Sequence, residues 1–196
     1  MTMIVNIDEL IDSMQKEPNY IDLGLPSGTL WAECNVGANI ETECGKYFLY
    51  DLEKGFYYGQ IDNELFTGRL HQHPRKDGCI SFEPKDGSVV PNRKDAKELC
   101  DNCRVKRIIN RGVSGTLFKS QINNNSIFFV DSGFVSYDDY SYPTKTILRK
   151  DVSKLWLQGN FFKRSAYSLW IDNSKPFVFF EVFNSWLNIR TIKRKN

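Results

Sequence analysis

Histidine is nearly missing from this 196-residue chain: His71 and His73 are its only two, one residue apart. A histidine-dependent triad would have to be built around that one stretch, and no Gly-x-Ser-x-Gly elbow, zinc-protease histidine pair or phosphate-binding glycine loop accompanies it. Cysteine stops at Cys103. The five thiols (Cys34, Cys44, Cys79, Cys100 and Cys103) are an odd number, and with no export signal the simplest expectation is that they stay reduced. No run approaches the ~20 apolar residues of a membrane-crossing helix, and Met1 to Val5 leads into Asp8 and Glu9 where a signal peptide needs a basic start and an apolar stretch. The expectation is a chain that remains in the cytoplasm or enters a particle assembled there, with no membrane insertion. Charge of one sign is scarce too. A net +2 gives neither a nucleic-acid footprint nor an acidic tail. The locally basic end, Arg190, Lys193, Arg194 and Lys195, reads as a solvated strand end.

Aromatics, in contrast, are plentiful at 14%, enough to fill a core and supply a contact surface as well. The length suits one domain with a small appendage. Residues 1–19 read as that appendage, a short helical segment. Asn6 is placed to cap, Glu9 completes a capping box, and Ile7, Leu10, Ile11 and Met14 form one apolar stripe. The stripe serves either to pack on its own domain or to dock the module on a larger assembly.

Residues 20–196 form the expected main domain. Ile21, Leu23 and Leu25 alternate with Asp22 and Gly24, the period of a half-buried strand. Pro26-Ser27-Gly28 then supplies turn chemistry, and a second short strand runs from Thr29 to Cys34. Trp31 is a core anchor whose indole N–H is expected to reach a loop carbonyl. Further on, Gln60 to Ser88 reads as a long irregular excursion. Asn92 caps a helix whose Ala96, Leu99, Cys100 and Cys103 keep helical spacing. Strands are expected at Gly115 to Gln121 and Ser126 to Val130. A last hairpin is expected from Phe177 to Phe183 and Trp186 to Ile192 across Asn184-Ser185.

The run Asp22 to Ala38, DLGLPSGTLWAECNVGA, with Gly45 to Phe48, resembles the opening of the Fibrobacter succinogenes major paralogous domain, a family abundant in Bacteroidota and their phages. Val90 to Leu99, Gly112 to Gly115 and Ser126 to Phe134 resemble later blocks of the same family, and the likeness thins after Phe134. The resemblance implies an α+β, C-type-lectin-like fold in which small antiparallel sheets bring the chain ends together and long loops carry a binding surface. It also implies a role without catalysis and without a cofactor. The most specific expectation is a phage virion surface protein, whether capsid decoration, fibre or receptor-binding part. Its partners would be other capsid or tail proteins, a host-surface glycan or protein, and further copies of itself. A cellular adhesin or ligand-binding module is the alternative. An enzyme of the formylglycine-generating superfamily stands third, because the late cysteines of that chemistry have no counterpart here.

Where the family pattern fades, residue types typical of recognition surfaces gather: Tyr137, Asp138, Asp139, Tyr140 and Tyr142 in a loop-like run, then Trp156 and Asn160. These are the candidate ligand contacts. Cys100 and Cys103 form a CxxC that could be drawn together with His71 and His73 as a zinc site. Thiols on the apolar stripe of a helix are better read as small hydrophobes, so no metal is expected. Glu17-Pro18-Asn19 and Trp170 to Asn173 imitate calcium-lectin motifs at the wrong spacing.

Overall fold

The computed structural model describes residues 18–51, 55–58, 80–85, 87–138, 145–149, 151–162, 165–172, 175–183 and 185–195. The proposed docking stripe Ile7, Leu10, Ile11 and Met14 lies outside them, as do His71, His73 and most of the Gln60 to Ser88 excursion. Within them the chain is α+β and mostly β, a single helix accompanying small antiparallel sheets.

The opening hairpin forms as its sequence dictates. Strand β1 (Tyr20–Asp22) pairs antiparallel with β2 (Thr29–Ala32), Trp31 standing opposite Ile21. The turn closes through Gly28 N–H donating to Leu25 O at 2.8 Å, with φ of +69° at Gly28 and +65° at Gly24, a region that costs glycine little. The last strand of the chain, here β15 (Ile192–Arg194), completes a three-stranded sheet on the other side of β2, with Ile192 opposite Trp31. The two ends of the described chain therefore close on each other. Trp31 and Ile192 are fully buried there, and burying an indole of ~200 Å² is worth about 5 kcal/mol before entropy is counted. The indole Nε1 finds no acceptor, contrary to the expected loop carbonyl; the ring packs edge-on to Phe129 at 6.3 Å instead.

Between these ends, β3 (Tyr47–Asp51), β4 (Gly55–Tyr58) and β5 (Ile80–Ser81) form a meander. Helix α1 (Arg93–Asn102) follows, with Asn92 as cap. Its Oδ1 accepts from Lys94 N at 2.7 Å, and Asp95 returns the favour to Asn92 N at 2.9 Å. That reciprocal box satisfies donors the first turn leaves bare. The helix stops one residue before Cys103, which already begins β6 (Cys103–Asn110). The strands β6, β7 (Val113–Ser120) and β8 (Ser126–Val130) form a second three-stranded sheet. Gly115 belongs on β7 because a Cβ there would collide with the Phe128 ring and Phe129 O. The Asn123 to Asn125 turn between β7 and β8 also fastens the opening hairpin: Asn123 and Asn125 side-chain amides donate to Asp22 O at 2.9 and 2.7 Å.

The chain then makes the hairpin β9 (Phe134–Asp138) and β10 (Lys145–Arg149). Long β11 (Ser153–Phe162), β12 (Ser165–Ile171), β13 (Phe177–Val182) and short β14 (Leu187–Asn188) follow. These join the meander in a seven-stranded sheet of order β13-β12-β11-β14-β3-β4-β5. The expected final hairpin is not made. β13 pairs with β12, while β14 inserts between β11 and β3 at the sheet centre. The reason is burial: every residue from 185 to 190 is enclosed, which suits a central strand and excludes a hairpin partner at the margin. One core packs Leu155, Leu157, Leu169 and Ile171 with α1, Phe118, Phe129 and Trp31. A second packs Phe48, Phe134, Trp156, Leu187 and Ile189 on the sheet's other side.

Of the residues expected as a solvated basic strand end, Arg194 and Lys195 are exposed and Arg190 is not. Arg190 is fully enclosed: Nε donates to Asn35 Oδ1 at 3.0 Å, Nη1 to Phe128 O at 2.8 Å, and the guanidinium lies 4.2 Å over the Phe129 ring. Burial brings its pKa down to about 10. Arg194 pairs with Asp95 at 2.7 Å and Lys195 with Asp22 at 2.5 Å, while Lys193 covers the Tyr20 ring. The basic cluster thus latches the chain's end onto its opening hairpin and onto the helix cap.

Candidate functional site

The sheet margin β13 is the part of the described surface that departs most from ordinary packing. Its sequence, FVFFEV, is a contiguous apolar run, yet Phe177, Phe179, Phe180 and Val182 stand 40, 43, 37 and 41% exposed. Alternation starts Phe177 and Phe179 on one sheet face and Phe180 and Val182 on the other, and the Phe179 and Phe180 rings meet around the strand's margin. The rings do not stand singly. Phe161, 42% exposed at the end of β11, stacks on Phe180 at 4.6 Å with planes 4° apart, and Phe180 stacks on Phe179 at 4.4 Å. Phe177 contacts both Phe179 and Trp170, at 6.1 and 5.5 Å. The result is a continuous aromatic strip running along the margin of the seven-stranded sheet.

A buried ion pair anchors that strip. Lys154 on β11 is 2% exposed and pairs with Glu181 on β13. Its ammonium lies 3.5 Å from the Phe134 ring centroid and 3.7 Å from that of Trp170, between two aromatic faces. The rings and the carboxylate together replace the water a buried ammonium would lose. Glu181 is the only charged residue of β13, and this arrangement neutralises it within its own chain.

Of the candidate ligand contacts, Tyr137, Asp138, Trp156 and Asn160 lie among the described residues. Tyr137 and Asp138 belong to β9, paired with Thr146 and Lys145 of β10, so the expected loop is a hairpin stem at these positions. Asp139, Tyr140 and Tyr142 lie outside the described residues. Trp156, expected on the contact surface, is instead fully buried, and its Nε1 donates to Phe48 O at 2.7 Å. A side chain with no exposed area packs the second core and cannot touch an external ligand in this conformation. Asn160 sits at a register shift of β11 opposite Ala166.

The thiols are quiet. Burial pushes Cys34 and Cys103 up to about 11 and Cys100 up to about 12, away from the lowered range a reactive or metal-binding thiolate needs. Among the described residues no group of three or more His, Cys, Asp or Glu is placed to hold a metal ion. No described helix is long and apolar enough to cross a membrane.

The strip on β13 escaped the sequence reading because FVFFEV carries no alternation. A run apolar at both parities reads as a strand buried on both faces. The available signal was the turn chemistry of the sequence before it, Asp172 to Pro176, with Pro176 at the strand's threshold. No family model matches this sequence, and no curated protein or solved structure matches it.

Proposed function

We propose that this chain is a non-enzymatic binding and structural module on a C-type-lectin-like platform, serving on the surface of a phage virion as a capsid or tail component. The observation that carries the reading is the aromatic strip on β13. Contiguous apolar surface of this kind marks contact with another macromolecule, and aromatic residues dominate the centres of such contacts. Two further features support it. The two ends of the described chain close in one sheet, as expected of that platform, so the opening hairpin serves the scaffold and the strip is left for assembly. The strip is also anchored by a buried ion pair and a large core, giving a preformed surface that loses little freedom on association.

In this reading the module attaches through β13 and presents its remaining loops to a host glycan or protein. The test uses phage particles purified from the source host. Antibody against the chain should decorate them in electron micrographs. Particles stripped of the chain should take it up again when it is added back, and a Phe177→Ser/Phe180→Ser variant should fail to rebind. Particles lacking the chain altogether would remove the virion assignment. Equal rebinding by the variant would remove β13 as the attachment face.

A further inference from the structure

We propose that the outer face of the β6–β7 pair binds an acidic glycan, holding its carboxylate or sulfate groups among Arg104, Lys106 and Lys119. This rests on reading the chain as a module that contacts a host surface, and goes further by naming the face and the chemistry it takes.

Strand register puts these cations together. In the sheet β6-β7-β8, one face carries Cys103, Val105, Phe118, Ile127 and Phe129 into the core that holds Trp31. The other face begins with a row across the sheet, Arg104 opposite Lys119 and Lys119 opposite Ser126, and Lys106 stands two residues along β6. Arg104, Lys106, Lys119 and Ser126 are all exposed. Directly opposed side chains have Cβ atoms ~4.5–5.5 Å apart and diagonal neighbours ~7–8 Å, so the cations lie within the ~8–10 Å over which charges still act on each other in physiological salt.

Among the described residues no acid pairs with Arg104, Lys106 or Lys119. Elsewhere cations do find acids: Lys97 has Asp101, Arg194 has Asp95 and Lys195 has Asp22. Arg107, next to Lys106 but on the opposite face, has Asp131. Glu41 meets this strand at Asn110, four residues past Lys106 and so ~14 Å along it at ~3.4 Å per residue. Like charges directly opposed across a ladder are destabilising. The free fold therefore carries a repulsion that a bound anion relieves.

What the patch lacks narrows the occupant. The face has one aromatic, Phe128, which is 4% exposed, so no ring is free to stack on a nucleobase as single-strand binders require. Three cations fall short of the ~6–10 phosphate contacts of a strong duplex binder, and a net charge of +2 provides no track beyond them. Protein partners are met through aromatic and apolar centres from which lysine is depleted, which is the character of β13 and not of this face. A short acidic glycan fits what is present. Arg104 offers a planar fork to a carboxylate or sulfate, the lysines act as point charges for neighbouring anionic groups, and the Ser126 hydroxyl both donates to and accepts from sugar hydroxyls.

Fluorescence anisotropy of the full chain with labelled tetragalacturonate, a heparin octasaccharide and neutral maltohexaose tests this, the first two probes separating carboxylate from sulfate. At least one acidic probe should bind, more weakly as salt is raised, and maltohexaose should not. Arg104→Ser/Lys119→Ser should weaken that binding at least about tenfold. The same variant should unfold at an equal or higher urea concentration because it removes a like-charge pair, which keeps misfolding from imitating lost binding. Lys94→Ser removes an exposed cation at the start of α1 and should change affinity less than about twofold, being beyond a screening length from the patch. Failure of both acidic probes to bind, or equal binding by the double variant, overturns the proposal. Tighter binding of an oligothymidylate or an oligoglutamate of equal charge also overturns it, assigning the face to nucleic acid or to an acidic protein. A chain present on particles that binds no acidic glycan refutes this proposal alone. A glycan-binding chain absent from particles refutes the virion assignment alone.

Discussion

The closing sheet and the outer margin of the seven-stranded sheet use the same residue types to opposite ends. At the closure, Trp31, Phe129 and Ile192 are enclosed, and even a guanidinium, Arg190, is drawn inside and fastened to Asn35 and to Phe128 O. At the margin, Phe177, Phe179 and Phe180 stack on one another in solvent while the charges, Lys154 and Glu181, are the groups that go inside. Hydrophobic residues are thus no guide to interior position in this molecule. What separates the regions is whether a further strand closes over the ring: β15 covers β2, and among the described residues no strand lies beyond β13.

The closure is where a single truncation should cost the fold most. Trp31→Ala removes a fully buried indole between Ile21 and Ile192, and such truncations cost about 3–5 kcal/mol. Against a domain stability of ~5–15 kcal/mol, urea unfolding should show a much lower midpoint. A variant within about 1 kcal/mol of wild type would mean that the chain ends contribute little to the fold.

At the margin, the largest stability effect should come from the charge rather than the rings. Lys154→Met strands Glu181, a carboxylate with 13% side-chain exposure, and breaking a buried pair this way costs about 3–5 kcal/mol. Lys154→Met/Glu181→Leu should recover most of that loss, since removing both charges removes the uncompensated one. If the double variant were as unstable as the single, packing of the lysine stem between Phe134 and Trp170 would be the greater contribution.

A smaller effect is expected in alkali, and it belongs to the interior. Cys34, Cys100 and Cys103 are held above the ordinary thiol value of 9.0, at about 11, 12 and 11. The unfolded chain releases these protons first, so their contribution is complete below pH 9 and is lost as pH rises toward 11 and beyond. Tyr47, also raised by burial, acts in the same direction. Arg190, lowered to about 10 from 12.5, acts oppositely from pH 10 upward. Thermal midpoints should be level to pH 9 and fall from pH 9 to 10, with a shallower fall in Cys34→Ala/Cys103→Ala. An equal slope in that variant would assign the alkaline loss to Tyr47 and other groups.

These two regions were unequally legible in the sequence. The opening hairpin could be read because its alternation, Pro-Ser-Gly turn and tryptophan all act within a dozen residues. The cap at Asn92 is local as well. Strand β6 was missed because Arg104, Lys106 and Arg107 look like the tail of the preceding charged helix. The exposure of Arg104 and Lys106 on one side of a sheet, and the pairing of Arg107 with Asp131, appear only once β7 is paired. The burial of Arg190 depends on Asn35 and Phe128, 155 and 62 residues away, and no local pattern announces a partner at that distance. The edge status of β13 is a matter of sheet order, which periodicity does not encode.

The smallest effect on stability is expected at Phe179. Phe179 is 43% exposed and touches its neighbours through ring stacking, worth about 0.5–1.5 kcal/mol per pair. Replacing it by serine forfeits part of that while sparing a ring in water, so the monomer should lose about 1 kcal/mol or less. Trp31→Ala, a change of the same kind at the closure, should cost several times more. Stability and association therefore separate: unfolding should hardly move for Phe179→Ser, whereas rebinding to stripped particles should weaken markedly, because a residue at the centre of a contact contributes most to it. A loss as large as that of Trp31→Ala would show that the strip supports the fold itself, and the contrast between the two regions would then be one of degree.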